Sequence, residues 1–276
     1  MKVFVSGATG YIGIQLVKRL AHSGFQVHAL YRSEPKAERI RFEGVTLFKG
    51  DILDTQSLAM AMKGCSQAYH VAAYAAVWAK DPRLFFRYNV EGTLQVIDAA
   101  RTAGIKRIVV TSTAGILGPS EREPVHEDTP GPTSFFTLYE ASKYEMEQRI
   151  KNDLNSDPEI VLVNPTRVYG PGILSKSNGL ALLIKKYISG KWRLIPGDGE
   201  RSGNYAYVED VVSGHLLAME KGRSGERYIL GGEELSYNQL FEHVREASGV
   251  SFRLFHLPLQ LLFVAAGGMM LVSKLS

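Results

Sequence analysis

Tyr139 and Lys143 form the residue pair in this sequence that is best suited to acid–base chemistry. Residues four apart lie on one face of a helix, so a helix here would direct the phenol and the ammonium into the same space. A nearby lysine cation favours the phenolate and lowers a phenol pKa that is ordinarily about 10. Such a tyrosine can give a proton to a carbonyl oxygen or take one from an alcohol.

The surroundings of this pair distinguish it from a second pair with the same spacing. Tyr187 and Lys191 enclose Gly190 and follow no strand that ends in hydroxyl residues, so we interpret that pair as a surface feature. The strand before Tyr139, in contrast, runs into Thr111-Ser112-Thr113. Its hydroxyls would lie at the carboxyl edge of the sheet, where open α/β sheets bind ligands.

A glycine-rich turn stands directly after the first apolar run and directly before a helical pattern. Glycines in such a turn allow a tight bend, let the backbone approach a pyrophosphate and let the helix pack closely against the strand. The pattern predicts a dinucleotide-binding loop, and a purely structural turn is the alternative. The residues concerned are Gly7, Thr9, Gly10, Tyr11, Ile12 and Gly13.

The end of the second predicted strand, Leu30-Tyr31-Arg32-Ser33, bears on the choice of cofactor. An acidic residue here would accept hydrogen bonds from the ribose 2′-hydroxyl, whereas a cation would bind a 2′-phosphate. Glu34 is the only acid close by, two positions beyond Arg32. We therefore expect NADP(H), with NAD(H) as the alternative. A solvated loop arginine is the competing interpretation of Arg32.

Two further strand ends carry residues suited to the same ligand. Asp51 follows the third strand and could accept a hydrogen bond from an adenine amino group, although a turn or helix-capping role explains it equally well. Ala72 and Ala73 close the fourth strand with small side chains that would let a ring or ribose lie close.

Apolar runs rich in β-branched residues alternate with amphipathic stretches through the first two-thirds of the chain. This alternation predicts an α/β fold of the Rossmann type, a doubly wound parallel sheet covered on both faces. The predicted strands are 2–6, 26–31, 45–49, 67–71, 107–111, 160–164 and 227–230, and the predicted helices are 11–22, 55–63, 82–103 and 137–155.

After Pro165 the rhythm loosens, and glycine and proline punctuate short segments. This pattern predicts a small C-terminal substrate-binding lid. We expect residues 1–168 with about 205–231 to form the dinucleotide-binding domain, and residues 169–204 with 232–276 to form the lid.

Composition limits the classes of partner. The formal net charge of the 276 residues is +4, and residues 1–50 alone hold eight basic and three acidic side chains. No run of basic residues predicts a nucleic-acid partner, so a local anionic ligand is the better interpretation. A single cysteine, Cys65, excludes an internal disulfide and a cysteine-based zinc cluster. We expect no metal and a cytoplasmic location.

The ends of the chain carry two further expectations. Met1-Lys2 leads straight into an apolar β-type run, which is unlike a secretory signal. Near the C-terminus, within residues 257–273, the stretch Leu261–Val272 is wholly apolar or glycine but shorter than the ~17–25 residues of a spanning helix. We expect a buried or dimer-facing helix, with attachment to a membrane surface as the alternative.

These residues together resemble the extended branch of the short-chain dehydrogenase/reductase superfamily, the NAD-dependent epimerase/dehydratase family. The matching elements occur in family order: Gly7/Gly10/Gly13, Asp51-Ile52, residues 70–73, residues 89–93, residues 111–115, Tyr139/Lys143, residues 164–172 and residues 207–211. Within that branch the chain is most similar to the dihydroflavonol-reductase-like group and the hopanoid-associated epimerase-like proteins, through residues 72–82 and 225–232.

The resemblance implies a role for each matched residue. Tyr139 would be the acid/base, Lys143 would bind the nicotinamide ribose and tune Tyr139, and the Thr113 hydroxyl, where the family often has serine, would orient the substrate oxygen. Ile52, Pro165 and Arg167 would join the cofactor site, and Asn89 would be structural. The resemblance also implies a homodimer and a longer lid than this chain carries.

Three functions compete for this sequence: a carbonyl reductase or alcohol dehydrogenase, a nucleotide-sugar epimerase or dehydratase, and a cofactor-sensing protein without turnover. Sensing proteins of this family generally lack the Tyr/Lys pair, which is present here. Family members that act on nucleotide sugars usually carry a diphosphate-binding arginine where this chain has Gly203, although Arg201 or Arg193 could replace it.

An apolar set of side chains near the predicted site favours an apolar or aromatic carbonyl substrate. The expected pocket residues are Tyr74, Val77, Trp78, Phe135 and Phe136, and core packing is the alternative role for them.

Overall fold

The architecture was analysed in a computed structural model of the chain, which describes residues 1–76, 78–120, 123–154, 157–173, 178–258 and 260. Seven strands form one parallel sheet in the order β10-β6-β5-β4-β1-β2-β3. Its strands are β1 (Lys2–Ser6), β2 (Gln26–Tyr31), β3 (Val45–Lys49), β4 (Gln67–His70), β5 (Arg107–Thr111), β6 (Glu159–Pro165) and β10 (Arg227–Leu230). The strand order reverses between β1 and β4, and a ligand crevice opens at such a switch point.

Helices cover both faces of this sheet. They are α1 (Tyr11–His22), α2 (Glu34–Ala37), α3 (Thr55–Met62), α4 (Arg83–Phe86), α5 (Gly92–Thr102), α6 (Leu138–Lys151) and α8 (Val208–Lys221). One core cluster joins the sheet to α3, α5 and α6 through side chains such as Leu58, Ile97 and Met146. A second cluster on the opposite face includes Leu16 and Leu20 of α1 and Val212 of α8. The doubly wound fold predicted from the sequence is confirmed.

The remaining elements form a smaller unit beside the carboxyl edge of the sheet. They are β7 (Arg167–Tyr169), α7 (Gly179–Ile188), β8 (Leu194–Pro196), β9 (Ser202–Tyr207), β11 (Glu233–Ser236), α9 (Tyr237–Ser248) and β12 (Phe255–Leu257). Strands β7 and β11 flank β9 in a three-stranded sheet, and β8 pairs with β12. We refer to the β11-β9-β7 sheet as the lid sheet.

Most strand and helix bounds agree with the prediction within two residues, but α6 ends at Lys151, four residues before the predicted end at residue 155. The expected helix over residues 82–103 contains a π-helical turn at Arg87–Glu91 between α4 and α5. Tyr187 was interpreted as a surface residue, which is wrong: its ring is fully buried against Phe241 and Phe252. Residues 168 and 205, the expected domain boundaries, lie inside β7 and β9 of the lid sheet.

The described part of the chain lacks both a membrane-spanning helix and a metal-binding group of side chains. No helix there is both long enough and apolar enough to cross a bilayer. No group of three His, Cys, Asp or Glu side chains in the same ranges is placed to hold a metal ion. The apolar C-terminal stretch from Leu261 onward lies outside the described residues.

Gly13 should tolerate no side chain, because a Cβ there would overlap the carbonyl oxygen of Gly7 across the tight β1–α1 turn. We expect Gly13→Ala to lower the free energy of unfolding by about 1–3 kcal/mol, the usual cost of overpacking. Urea denaturation followed by circular dichroism measures this loss. Gly179→Ala is the matched control, because among the described residues no atom outside its chain neighbours and its own helix backbone lies within 4 Å of its Cβ position. Equal midpoints for the two variants would contradict the prediction.

Candidate active site

The glycine loop packs directly against the end of β4. Gly7 adopts a φ of 67°, and a Cβ on it would lie 2.5 Å from the backbone nitrogen of Ala72. The Gly10 N–H donates to the Gly7 carbonyl at 2.8 Å and closes the turn. Helix α1 begins after Gly10 with no side chain capping its first turn. Its free N–H groups, with the positive end of the helix dipole, suit a phosphate.

One cleft of about 830 Å³ runs from this loop along the carboxyl edge of the main sheet to the lid sheet. It brings together most of the residues that the sequence predicted for the site. The predicted residues that line it are Gly7, Thr9, Gly10, Tyr11, Ile12, Gly13, Arg32, Ile52, Ala72, Ala73, Tyr74, Thr113, Tyr139, Pro165 and Arg167.

Arg32 lies at one end of the cleft together with a second cation. Its guanidinium is 3.3 Å from the Asp51 carboxylate and lies over the Tyr88 ring at 5.1 Å. Lys36, four residues further on, also lines the cleft, although the sequence analysis did not select it. The four-residue spacing between Arg32 and Lys36 is the sequence feature that could have identified Lys36 as a second cation of the site. Asp51 itself does not line the cleft, and its carboxylate also accepts the Leu53 N–H at 3.0 Å.

Thr113 and Tyr139 place two hydroxyl groups in the middle of the cleft. Tyr139 lies in the first turn of α6, which a capping box between Thr137 and Glu140 fixes in place. The Thr113 hydroxyl accepts the Gly115 N–H at 3.2 Å, which leaves its own proton free to donate. Both residues line the same cleft, so each hydroxyl is accessible to a ligand bound there.

Lys143 is fully buried beneath the cleft. Its Nζ donates to the Thr111 carbonyl at 2.6 Å and lies 3.5 Å from the Met146 sulfur. Burial lowers the pKa of Lys143 to about 8, and the Glu147 carboxylate opposes that shift. The ammonium thus holds the end of β5 and does not donate to the phenol.

The expected lowering of the Tyr139 pKa is wrong for this structure. Burial raises the pKa of the Tyr139 phenol to about 12, and the Glu140 carboxylate adds to the rise. The physical reason is that loss of water disfavours the phenolate more than the lysine, occupied at Thr111, favours it. Tyr139 is therefore a protonated donor at neutral pH.

A buried polar network supports the backbone beneath these hydroxyls. Glu147, one turn beyond Lys143 on α6, is fully buried and accepts from the Asn164 amide at 2.8 Å. The same amide donates to the Thr113 carbonyl at 3.1 Å. Arg227 on β10 lies 3.4 Å from the Glu147 carboxylate. Glu147 and Arg227 could not be predicted from the sequence, because their pairing joins two residues that are 80 positions apart along the chain.

Asn89 connects the π-helical turn to the same region. Its amide donates to the Ser142 hydroxyl at 2.9 Å, and its carbonyl oxygen accepts the Tyr74 N–H at 2.7 Å. The Ser142 hydroxyl in turn donates to the Tyr139 carbonyl at 2.8 Å. Asn89 thereby links the segment after β4 to the turn that carries Tyr139, which is a structural role.

The expected aromatic pocket is only partly assembled. Tyr74 lines the cleft and packs edge-on against Phe85. Trp78 is 65% exposed, Phe136 is 84% exposed, and Phe135 packs against Tyr144, so none of these three lines the cleft. Val77 lies outside the described residues. The lid end of the cleft is walled instead by side chains that no sequence signal joined: Val168, Leu180, Leu183, Tyr205 and Tyr237.

The guanidinium of Arg167 lies beside Gly203, the position at which family members that act on nucleotide sugars usually carry an arginine. A Cβ at Gly203 would overlap Nη1 of Arg167, so this guanidinium fills the space left by the missing side chain. Arg193 does not take that place, because it packs over the Phe252 ring at 4.0 Å. Arg201 is exposed and does not line the cleft.

Comparison with known proteins decides the family. Residues 3–231 match the model of the NAD dependent epimerase/dehydratase family. The chain belongs to this family. This result confirms the resemblance to the extended short-chain dehydrogenases/reductases and shows that the chain is an NAD(P)-dependent enzyme of that class.

The relatives of this family member include both reductases and epimerases. A dihydroflavonol 4-reductase-like protein of Synechocystis sp. is 33% identical over 254 residues, which cover 90% of this chain and 72% of the relative. The 4-hydroxy-2-methyl-3-oxo-4-farnesyl-3,4-dihydroquinoline-1-oxide ketoreductase of Stigmatella aurantiaca is 32% identical, covering 96% and 79% of the two chains. The Thermus thermophilus UDP-glucose 4-epimerase in complex with NAD superposes with a TM-score of 0.82 at 27% identity, covering 94% and 86%.

The cleft of this family member fits a nicotinamide dinucleotide. Gly7 and Gly13 lack the Cβ atoms that would close the turn, and the first turn of α1 has no side-chain cap. These features leave a backbone cradle for a pyrophosphate between the Arg32 end of the cleft and the two hydroxyls.

Lys143 should make stability depend on pH in a characteristic way. Its folded-state pKa of about 8 lies below the ordinary lysine value of 10.5, so between these values the unfolded chain holds a proton that the folded chain has lost. The free energy of unfolding should therefore rise between pH 7 and pH 10 by roughly 2 kcal/mol from this group. We expect Lys143→Met to lose that rise in urea denaturation at the two pH values. Lys151→Met, which removes an exposed lysine of the same helix, should retain it. Parallel pH dependence of the wild-type protein and Lys143→Met would contradict the assignment.

Proposed function

We propose that this enzyme is an NADP(H)-dependent oxidoreductase that reduces the carbonyl of a mainly apolar or aromatic small molecule, or oxidises the corresponding alcohol. The observation that carries the proposal is that Thr113 and Tyr139 line one cleft together with the glycine loop and the apolar side chains of the lid. A substrate with an apolar body would fill the lid end and present its oxygen to the hydroxyls.

The residues divide the work of the proposed reaction. A nicotinamide cofactor, when bound, supplies or accepts the hydride. Tyr139 is a protonated phenol at neutral pH, as it would also be at its ordinary pKa, and it gives its proton to the carbonyl oxygen. Thr113 holds the same oxygen with its free hydroxyl proton. Lys143 fixes the end of β5 through the Thr111 carbonyl and so keeps Thr113 in place.

The cations at the far end of the cleft support the choice of NADP(H). Arg32 and Lys36 both line that end, and Glu34 does not. A 2′-phosphate would accept charge-assisted hydrogen bonds from a guanidinium and an ammonium there. The Asp51 carboxylate, 3.3 Å from Arg32, would hold the guanidinium in position for that contact.

A nucleotide-sugar epimerase or dehydratase is the second candidate function. The guanidinium of Arg167 at Gly203 favours it, because it places a cation at the lid end of the cleft. Calorimetry with UDP- and dTDP-sugars against the cofactor-loaded protein separates the two candidates. Micromolar binding of any of these ligands would replace the reductase proposal with the epimerase.

Tyr139→Phe should abolish turnover and leave cofactor binding nearly intact, because the phenolic proton is needed only in the chemical step. General acid catalysis contributes about 10²–10⁴-fold, so the rate of NADPH consumption with a panel of aldehydes and ketones should fall by that factor. Tyr144→Phe is the matched control, since it makes the same change on the same helix outside the cleft. More than about a tenth of the wild-type rate in Tyr139→Phe would assign the acid role elsewhere.

Arg32→Ala should weaken NADPH binding by roughly tenfold or more and leave NADH binding little changed, because it removes one charge-assisted bond to the 2′-phosphate. Fluorescence titration with both cofactors measures this selectivity. Arg39→Ala removes the same charge from an exposed position outside the cleft and should have little effect. Equal affinity of the wild-type protein for NADPH and NADH would refute the preference.

A further inference from the structure

Arg167 is an exposed residue whose side chain lines the lid end of the cleft. Arg167 begins β7, and the backbone register places it opposite Tyr205 of β9. Its guanidinium lies over the Tyr205 ring at 5.6 Å, and that ring is itself buried. The absence of a side chain at Gly203 provides the space that Nη1 occupies. Glycine and tyrosine of one strand thus set the position of the arginine of its neighbour.

This guanidinium has no carboxylate partner among the described residues. Among the described residues that line the cleft, Glu140 is the only acidic one, and its carboxylate accepts the Thr137 N–H at the start of α6. Arg167 differs in this respect from Arg32, which is paired with Asp51. A guanidinium that a cleft holds without a counter-charge is available to an anionic ligand.

The surroundings of Arg167 limit what that anion can be. The lid end is otherwise lined mainly by apolar and aromatic side chains, with the buried amide of Asn178 among them. Among the described residues that line it Arg167 is the one cation, and Arg32 and Lys36 lie at the opposite end. A single planar guanidinium matches one carboxylate with two parallel hydrogen bonds. A diphosphate carries more charge and more acceptor oxygens than one guanidinium can satisfy.

We infer that Arg167 binds a carboxylate of the substrate, so that the compound reduced in this cleft is an oxo acid with an apolar or aromatic body. This inference rests on the proposed carbonyl reductase function and adds the charge of the substrate to it. It also assigns the Arg167 side chain, which lies against the lid sheet, to substrate binding, whereas the family resemblance had implied the cofactor.

Binding of a matched acid and amide tests the carboxylate directly and without turnover. The probes are 4-phenylbutyrate and 4-phenylbutanamide, titrated calorimetrically into the NADP⁺-loaded full chain. We expect the wild-type protein to bind the acid about tenfold or more tightly than the amide, the contribution of one charge-assisted pair. Arg167→Met should remove this preference and leave amide binding unchanged.

Two further variants separate direct contact from general electrostatics. Gly203→Ala retains every charge but displaces the guanidinium, so it should reduce the preference for the acid. Arg201→Met removes the same charge as Arg167→Met from a nearby exposed residue and should retain the preference. The inference is overturned if wild-type protein fails to bind the acid at millimolar concentration, binds acid and amide equally, or keeps its preference in Arg167→Met.

A kinetic arm distinguishes failure of this inference from failure of the proposed function. The substrates are 4-oxo-4-phenylbutanoate and its methyl ester, with NADPH consumption as the readout. Selective loss of kcat/KM for the acid in Arg167→Met supports the inference. Equal reduction of acid and ester by both proteins overturns the inference and leaves the reductase standing. A third outcome is that the wild-type protein reduces neither the acid nor the ester but binds UDP-glucose, and that Arg167→Met abolishes this binding. That outcome overturns both the inference and the proposed reductase function and assigns the guanidinium to a diphosphate.

Discussion

The backbone of the glycine loop lies in contact with the end of β4, and the positions of the other site elements depend on this approach. Gly7 and Gly13 lack the Cβ atoms that would separate the loop from Ala72 and the helix from the loop. Helix α1 therefore begins at the switch point between β1 and β4, with its uncapped N–H groups facing the crevice. A larger residue at either position would move the phosphate cradle away from the hydroxyls that the sheet edge carries.

The charged side chains buried beneath the cleft reduce the stability of the fold, but they also position the ends of β5 and β6. Lys143 and Glu147 are fully buried on one face of α6, and each holds a backbone or amide group at the end of β5 or β6. Desolvation of such groups is unfavourable unless hydrogen bonds satisfy them. Here those hydrogen bonds act on the Thr111 and Thr113 carbonyls. The charges thus fix the segment that carries the catalytic hydroxyl proposed here.

The two ends of the cleft differ in the charge and polarity of the side chains that line them. Arg32 and Lys36 give one end two cations, whereas the lid end is mainly aliphatic and aromatic around the single guanidinium of Arg167. The hydroxyls of Thr113 and Tyr139 are neutral, and burial raises the pKa of the Tyr139 phenol further above neutral pH. A phosphorylated cofactor beside a substrate with an apolar body and one carboxylate would match this division of the cleft.

The sequence by itself determined the main sheet, the glycine loop, the Tyr139/Lys143 pair and the family. These features depend on local periodicity and on short motifs, whose residues are close along the chain. The lid walls, the Glu147–Asn164–Thr113 network and the place of Arg167 were decided only by the tertiary structure. The residues of these features lie on elements that are distant along the chain. The pairing of β7 with β9, for example, cannot be predicted from the spacing of residues in the sequence. The direction predicted for the Tyr139 pKa was wrong, because the prediction used only the spacing of Tyr139 and Lys143. The pKa also depends on burial, which is determined by every atom around the phenol.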